Sequence, residues 1–253
     1  MKPTSDIPDV LDPWIILCRD DRHAAGETAR LVLDAFVRDG ERDFGLALSG
    51  GRMASGVFRE LVRQSQERKT PLDVVDFFWA DERCVPPSHE DSNYRVARQG
   101  LLDPLGVDAG RVHRLGGELP TERAVTLANE QWRRWSERRG GGRGAILDMV
   151  LLGVGEDGHI ASLFPVNLPA DLESASPFRA VIGPKPPPQR LTMGYRLLWE
   201  ARRVVVTATG AGKEAVLRAS LAGREDTPLA RVLSGRMGKE TVLITDLPGV
   251  RVP

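Results

Sequence analysis

The sequence predicts an α/β protein with a doubly wound, mostly parallel sheet and helices on both faces. Three observations carry this expectation. Short apolar runs alternate with segments of helical spacing along nearly the whole chain. Several of those runs end in glycine turns that carry charge, the pattern of an open α/β sheet at its carboxyl edge. The chain has 253 residues, of which 41% are hydrophobic and 28% charged, so it is long enough to bury one large core and reads as a single domain over residues 1–253.

The elements follow in order. Residues 14–18 (WIILC) form an apolar run after Pro13 and predict a buried strand. Residues 23–38 have helical spacing, with Ala25, Ala29 and Leu33 on one side; His23 opens the helix as a surface residue and Gly40 stops it. Residues 44–48 predict a second strand. It ends at Ser49-Gly50-Gly51-Arg52, and a helix over residues 53–66 follows. Strand, glycine turn and helix N-terminus together make an anion-binding geometry. An ordinary turn with Arg52 in solvent is the competing reading.

Residues 74–79 predict a third strand, which runs into Asp81-Glu82-Arg83, read as a charged loop at a strand end. Val85-Pro86-Pro87 extends that loop. His89 is expected to be exposed, and a helix is expected over residues 94–102. Residues 112–115 predict a short strand with His113 as a routine strand residue. Residues 121–138 predict a long amphipathic helix. Its terminal arginines, Arg133, Arg134, Arg138 and Arg139, complement the helix dipole. Residues 140–144 read as a flexible connector.

Residues 149–152 then feed Gly153-Val-Gly-Glu-Asp-Gly158-His159. This matches G-x-G-x-x-G, but Pro165 arrives too soon for the long helix a dinucleotide site requires, and Asp171 and Glu173 lie beyond two prolines. A glycine turn without chemistry is the plain alternative. The stronger reading is a functional turn, because Glu156, Asp157 and His159 concentrate proton-handling groups where glycines let a ligand approach. Beyond it, strands are predicted over residues 178–182, 203–207 and 242–245. An extended proline loop carries Lys185 and Arg190. Gly210-Ala-Gly-Lys213 opens a helix over residues 213–221, and Pro228 opens a short one over residues 227–233. A lysine opposes the dipole at a helix start, so a bound anion is a natural reason for Lys213; simple surface exposure is the ordinary one.

Several function classes are disfavoured. Lys plus Arg and Asp plus Glu each number 35, so no global field favours nucleic acid or an anionic membrane. The N-terminal stretch MKPTSDIPDVLDPW lacks an apolar segment of signal-peptide type, and no long apolar run predicts a membrane span. Cys18 and Cys84 form no C-x-x-C pair, which points to reduced thiols in a cytoplasmic protein; Cys84 reads as loop filler rather than a nucleophile. Four scattered histidines give no metal-ligand spacing, and there is no G-x-S-x-G turn. The strand-end loops therefore converge on an anion seat with an acid–base group, suited to a small phosphorylated substrate and to attack by an activated water.

Phe78-Trp-Ala-Asp-Glu-Arg83 with Val85-Pro86 and Ser92-Asn93, Leu152-Gly-Val-Gly-Glu-Asp-Gly-His159 with Ala161-Ser-Leu-Phe-Pro165, and Pro186-Pro-Pro-Gln-Arg-Leu-Thr192 resemble the signatures of the 6-phosphogluconolactonases. The related glucosamine-6-phosphate deaminases share the Ser-Gly-Gly, Asp-Glu and Gly-Asp-Gly-His elements. They usually continue Ile-Ala-Phe-Asn-Glu-Pro, whereas this chain has Ile160-Ala-Ser-Leu-Phe-Pro165, and Arg83 stands where the deaminases carry tyrosine. One departure stands out: the family often has Ser-Gly-Gly-Ser-Thr-Pro, and this chain has Ser49-Gly-Gly-Arg-Met-Ala54. Two phosphate-binding hydroxyls are lost, and Arg52 is placed to compensate.

The resemblance implies a Rossmann-like fold of the deaminase/lactonase type. It also implies hydrolysis of 6-phospho-D-glucono-1,5-lactone in the pentose phosphate pathway, without metal or cofactor. His159 is then the general base, with Asp157 orienting the imidazole or the water, Arg83 stabilising the carbonyl oxygen or holding the substrate, and Asp81 in an orienting role. Ser49, Gly50, Gly51, Arg52, Arg190 and Lys213 are expected to bind the phosphate. The expected partner is the sugar phosphate alone, neither nucleic acid nor membrane, with the protein a monomer or homodimer. Two rivals remain: a glucosamine-6-phosphate deaminase-like isomerase and a non-catalytic sugar-phosphate sensor.

Overall fold

The computed structural model describes residues 13–40, 44–140, 145–167, 174–224 and 226–251. The N-terminal stretch before residue 13, most of the glycine connector, and Asp171 and Glu173 lie outside the described residues.

The apolar runs become the strands of one parallel sheet. They are β1 (Trp14–Leu17), β2 (Gly45–Leu48), β3 (Asp76–Trp79), β5 (Val112–His113), β6 (Met149–Gly153), β9 (Arg203–Ala208) and β10 (Glu240–Thr245). Their order is β1-β10-β9-β6-β2-β3-β5, and every neighbouring pair is parallel. The central strands are buried along their length, which is why they read as continuous apolar runs rather than alternating ones. The chain winds outward from β2 through β3 to β5, then returns to β6 and winds the other way. The crevice between the carboxyl ends of β2 and β6 is therefore the switch point where such sheets hold ligands.

The helices are α1 (Asp21–Arg38), α2 (Ala54–Arg68), α3 (Asn93–Ala97), α4 (Asp103–Leu105), α5 (Thr121–Gly140), α6 (Tyr195–Glu200), α7 (Glu214–Leu221) and α8 (Pro228–Ser234). Asp20 caps α1, its carboxylate accepting from the His23 N–H at 2.7 Å. Helix α1 packs on α2 and the β9–β10 side of the sheet. On the strand face of Phe78, α5 inserts Trp132 and Trp135, with ring centroids 5.7 and 4.9 Å from that phenylalanine. His113 is buried there too, stacked on Phe78 at 4.4 Å and held by Asp76 at 2.7 Å.

Two expectations are corrected. Asp81-Glu82-Arg83 is not a loop but a strand, β4 (Asp81–Arg83), in a separate antiparallel sheet of order β4-β8-β7, with β8 Gln189–Met193 and β7 Phe178–Ile182. Three charged residues carry no strand signal; pairing with β8 makes the strand. The run expected to be a buried strand is the edge strand β1, with Trp14 71% and Leu17 53% exposed, whereas the helix expected over residues 94–102 is present as α3 continuing through a π-helical segment, Arg98–Leu102, into α4.

Candidate active site

The alternation of side chains along β4 does the first sorting. Asp81 and Arg83 share one face and enter the cleft, while Glu82 points the other way. Asp81 is buried, and both its carboxylate oxygens are engaged. Ser162 Oγ donates to Oδ2 at 2.6 Å, and Asn93 Nδ2 donates to Oδ1 at 3.1 Å and to the Asp81 carbonyl at 2.9 Å. Asn93 lies so close to the first glycine turn that a Cβ on Gly50 would stand 1.8 Å from its Oδ1. That approach explains a glycine at position 50.

The turn after β6 positions the histidine. Val154 bridges Ile160, and the Gly155 N–H donates to the His159 carbonyl at 2.8 Å, so the chain reverses tightly. Within the reversal Asp157 Oδ1 lies 2.5 Å from His159 Nδ1. A Cβ on Gly155 would stand 2.0 Å from that nitrogen, and Gly158 has φ +78°. These two glycines are therefore what let the pair form. Burial alone would raise the Asp157 carboxyl, but the charge and hydrogen bonds of His159 outweigh it and hold it below its ordinary value. An ionised Asp157 on Nδ1 leaves Nε2 as the imidazole nitrogen able to take a proton. Ala161, in the left-handed region at φ +48°, then turns the chain so that Ser162 reaches Asp81.

The anion seat lies across the cleft. Helix α2 begins at the Ser49-Gly-Gly turn with no side chain capping its first N–H groups. Arg52 Nη2 donates to the Thr209 carbonyl at 2.5 Å and to Thr209 Oγ1 at 3.0 Å, which ties the loop after β2 to the loop after β9. Asp21, 3.9 Å away from an exposed guanidinium, neutralises little of its charge. Lys213 is half-buried beside it. Burial first, and the charge of Arg52 second, push its amine below the ordinary lysine value. Arg52 and Lys213 thus stand together on one cleft, where an anion is expected. Ser49 Oγ and Arg83 Nε, both buried atoms on residues of the cleft, have no hydrogen-bond partner among the described residues.

These groups line one cleft of about 140 Å³, floored by Leu151, Leu152 and Thr207. His159, Arg83, Asp81, Ser49, Gly50, Gly51, Arg52 and Lys213 all line it. Asp157 acts on it through His159. Arg190 does not line it. The side chain of Arg190 is buried beside Arg83, its partner in the strand register, and donates to the carbonyls of Pro187 at 2.6 Å and Lys185 at 3.3 Å. Sequence reasoning missed Asn93 and Ser162 as site residues, although both stood inside the quoted motifs. A larger groove, about 720 Å³, runs between α3 and α5 past Tyr94 and Leu119, and none of the expected site residues lines it. Both cysteines are free. Burial first pushes the Cys18 thiol up to about 11 and raises Cys84 as well, so neither is an activated nucleophile.

A doubly wound sheet with an Asp–His pair facing a two-cation seat at its switch point defines a class, the α/β enzymes of small anionic substrates. Comparison with known proteins narrows it. The family profile described as glucosamine-6-phosphate isomerases/6-phosphogluconolactonase matches residues 20–243. The human 6-phosphogluconolactonase is 37% identical over 193 residues, 75% of this chain and 73% of the relative. The Mycobacterium bovis 6-phosphogluconolactonase is 34% identical over 206 residues, covering 78% and 80%. The solved 6-phosphogluconolactonase of Trypanosoma brucei superposes with a TM-score of 0.79 at 26% identity, over 93% of this chain and 97% of that one. The chain belongs to the glucosamine-6-phosphate isomerase/6-phosphogluconolactonase family.

Proposed function

We propose that this protein hydrolyses 6-phospho-D-glucono-1,5-lactone to 6-phosphogluconate. The observation that carries the reading is the Asp157–His159 pair, whose free Nε2 shares a cleft with Arg52 and Lys213. The phosphate sits on Arg52, Lys213, the Ser49 hydroxyl and the Ser49-Gly50-Gly51 turn at the start of α2. His159 Nε2 takes a proton from water as its oxygen adds to the lactone carbonyl carbon. Arg83 meets the charge that develops on the carbonyl oxygen. When the tetrahedral intermediate collapses, the bond from that carbon to the ring oxygen breaks. His159 returns its proton to the ring oxygen, and the new carboxylic acid ionises.

The isomerase half of the family is less supported by this cleft. Asp81, the position that matches the deaminase base, has both oxygens occupied by Ser162 and Asn93. Such a carboxylate orients its neighbours rather than abstracting a carbon-bound proton. The same reading places the protein in the cytoplasm and the pentose phosphate pathway, acting as a monomer or homodimer without metal or cofactor. The balanced charge supports a partner list limited to the sugar phosphate, and no helix among the described residues is long and apolar enough to cross a membrane.

The deciding experiment follows disappearance of fresh lactone against its spontaneous hydrolysis. Turnover well above background, with no ammonia released from glucosamine-6-phosphate, is expected. Ammonia release would move the assignment to the deaminases. Binding of 6-phosphogluconate without lactone turnover would make the protein a sensor.

A further inference from the structure

We propose that Glu82, buried outside the cleft, is a positioning residue whose carboxylate ties β4 to the start of α3 and so holds Arg83 and Asn93 in register for the reaction. Glu82 is 2% exposed. Its Oε1 accepts the N–H groups of Arg83 and Asn93, each at 2.8 Å. Its Oε2 accepts the Tyr94 N–H at 2.8 Å and Ser92 Oγ at 3.1 Å. One carboxylate thus fixes the backbone of two cleft residues that lie on separate elements. Downstream of that clasp, the Asn93 side chain holds Asp81, and Arg83 Nη1 donates to the Asp91 carbonyl at 2.8 Å.

The arrangement is not a default of stability. No lysine or arginine ion-pairs with Glu82 among the described residues; its hydrogen bonds come from backbone N–H groups and a hydroxyl, and Arg114 acts on its charge only from a distance. Burial foremost raises its carboxyl above the ordinary value, with the charge of Asp81 adding to the effect, although three backbone N–H groups pull the other way. A buried charge kept at that cost, with four donors from two elements converging on it, is explained by what those elements carry. A carboxamide cannot replace it, because its NH₂ group would face two donors.

This inference rests on the proposed hydrolase reading. In Glu82→Gln, kcat for the lactone should fall at least about 10-fold while KM stays within roughly threefold, because Arg52 and Lys213 lie on other loops. Amide hydrogen exchange at Asn93 and Tyr94 should rise about 10-fold or more relative to the central amides of α5. Ser92→Ala removes one of the four donors and should lower kcat roughly two- to fivefold. A Glu82→Gln protein with wild-type kcat per folded molecule overturns the proposal, even if it melts earlier. A loss confined to KM overturns it too. Should Glu82→Gln not fold, wild-type kcat in Ser92→Ala is the overturning result. If the wild-type protein shows no turnover above background, the hydrolase reading falls, and unchanged exchange at Asn93 and Tyr94 in either variant separately removes the clasp.

Discussion

Arg236 and Arg83 are both withdrawn from solvent, and the protein treats them in opposite ways. Arg236 is 1% exposed, and every nitrogen of its guanidinium is spent. It donates to the carbonyls of Leu198, Trp199, Ala201, Arg202 and Glu240 and to Thr241 Oγ1, at 2.7 to 3.3 Å. Burial pushes its pKa down to about 10, with the charge of Glu240 partly opposing. Arg83 donates to one carbonyl, keeps a buried Nε without a partner among the described residues and stands across the strand register from another arginine. The first is a pin that closes the ends of α6, α8 and β10 around one cation. The second is held by a single carbonyl, with its Nε unpaired among the described residues. Unspent donors, rather than charge or burial alone, separate the arginine proposed to bind substrate from the structural one.

The comparison breaks most visibly at Arg236. Arg236→Met takes this donor from the carbonyls of Leu198, Ala201, Arg202 and Glu240, while Trp199 keeps Lys239 Nζ at 2.6 Å, and should cost about 3–5 kcal/mol of stability in denaturant unfolding, with kcat per folded molecule unchanged. Lost activity at unchanged stability would put Arg236 in the same class as Arg83.

His159→Ala should show the reverse pattern on the cleft side. Its kcat should fall roughly 10²-fold or more, with little change in melting temperature, because the ring is partly exposed in the cleft wall. Wild-type turnover in this variant would remove the general base from the mechanism. Arg83→Leu should lower kcat roughly 10- to 100-fold while stability holds or rises, since it removes a like charge facing Arg190. A large loss of stability instead would mean that Arg83 is a second pin.

The smallest expected effect sharpens the account of the anion seat. The Lys213 amine is lowered by burial first and Arg52 second, so it loses its proton, and its hold on phosphate, at a lower pH than an ordinary lysine. KM should therefore rise on the alkaline side of neutrality. In Arg52→Gln the neighbouring charge is gone, the amine titrates higher, and the alkaline rise in KM should move to higher pH. A rise that stays in place would show that the two cations do not share one anion.

Much of the fold was legible because fully buried parallel strands write themselves as apolar runs. The runs around residues 44–48, 149–152 and 203–207 became β2, β6 and β9 with ends shifted by a residue or so. The Asp81–Arg83 segment was not legible as a strand, since its partner, β8, lies far along the chain and carries no local signal in β4 itself. The cleft residues were legible as types: His159, Asp157, Arg83, Arg52 and Lys213 all stood at strand ends. Asn93 and Ser162 were not, because a neutral polar residue in a loop announces nothing until its partner is known. Arg190 stood in a suggestive loop, yet its donors turn back onto carbonyls of that loop.

The amino-acid sequence alone determined the doubly wound sheet and the glycine turns at its carboxyl edge, and it singled out the turn proposed to handle protons. These rest on local physics: apolar periodicity, the freedom of glycine and the chemistry of an imidazole beside a carboxylate. Tertiary structure decided which donors are spent and which are left open. It turned Asp81 into a clasped anion, Glu82 into a buried tie and Arg190 into a loop support, while Ser49 Oγ and Arg83 Nε have no partner among the described residues. Hydrogen-bond satisfaction is a property of pairs, and those pairs form between segments far apart in the chain.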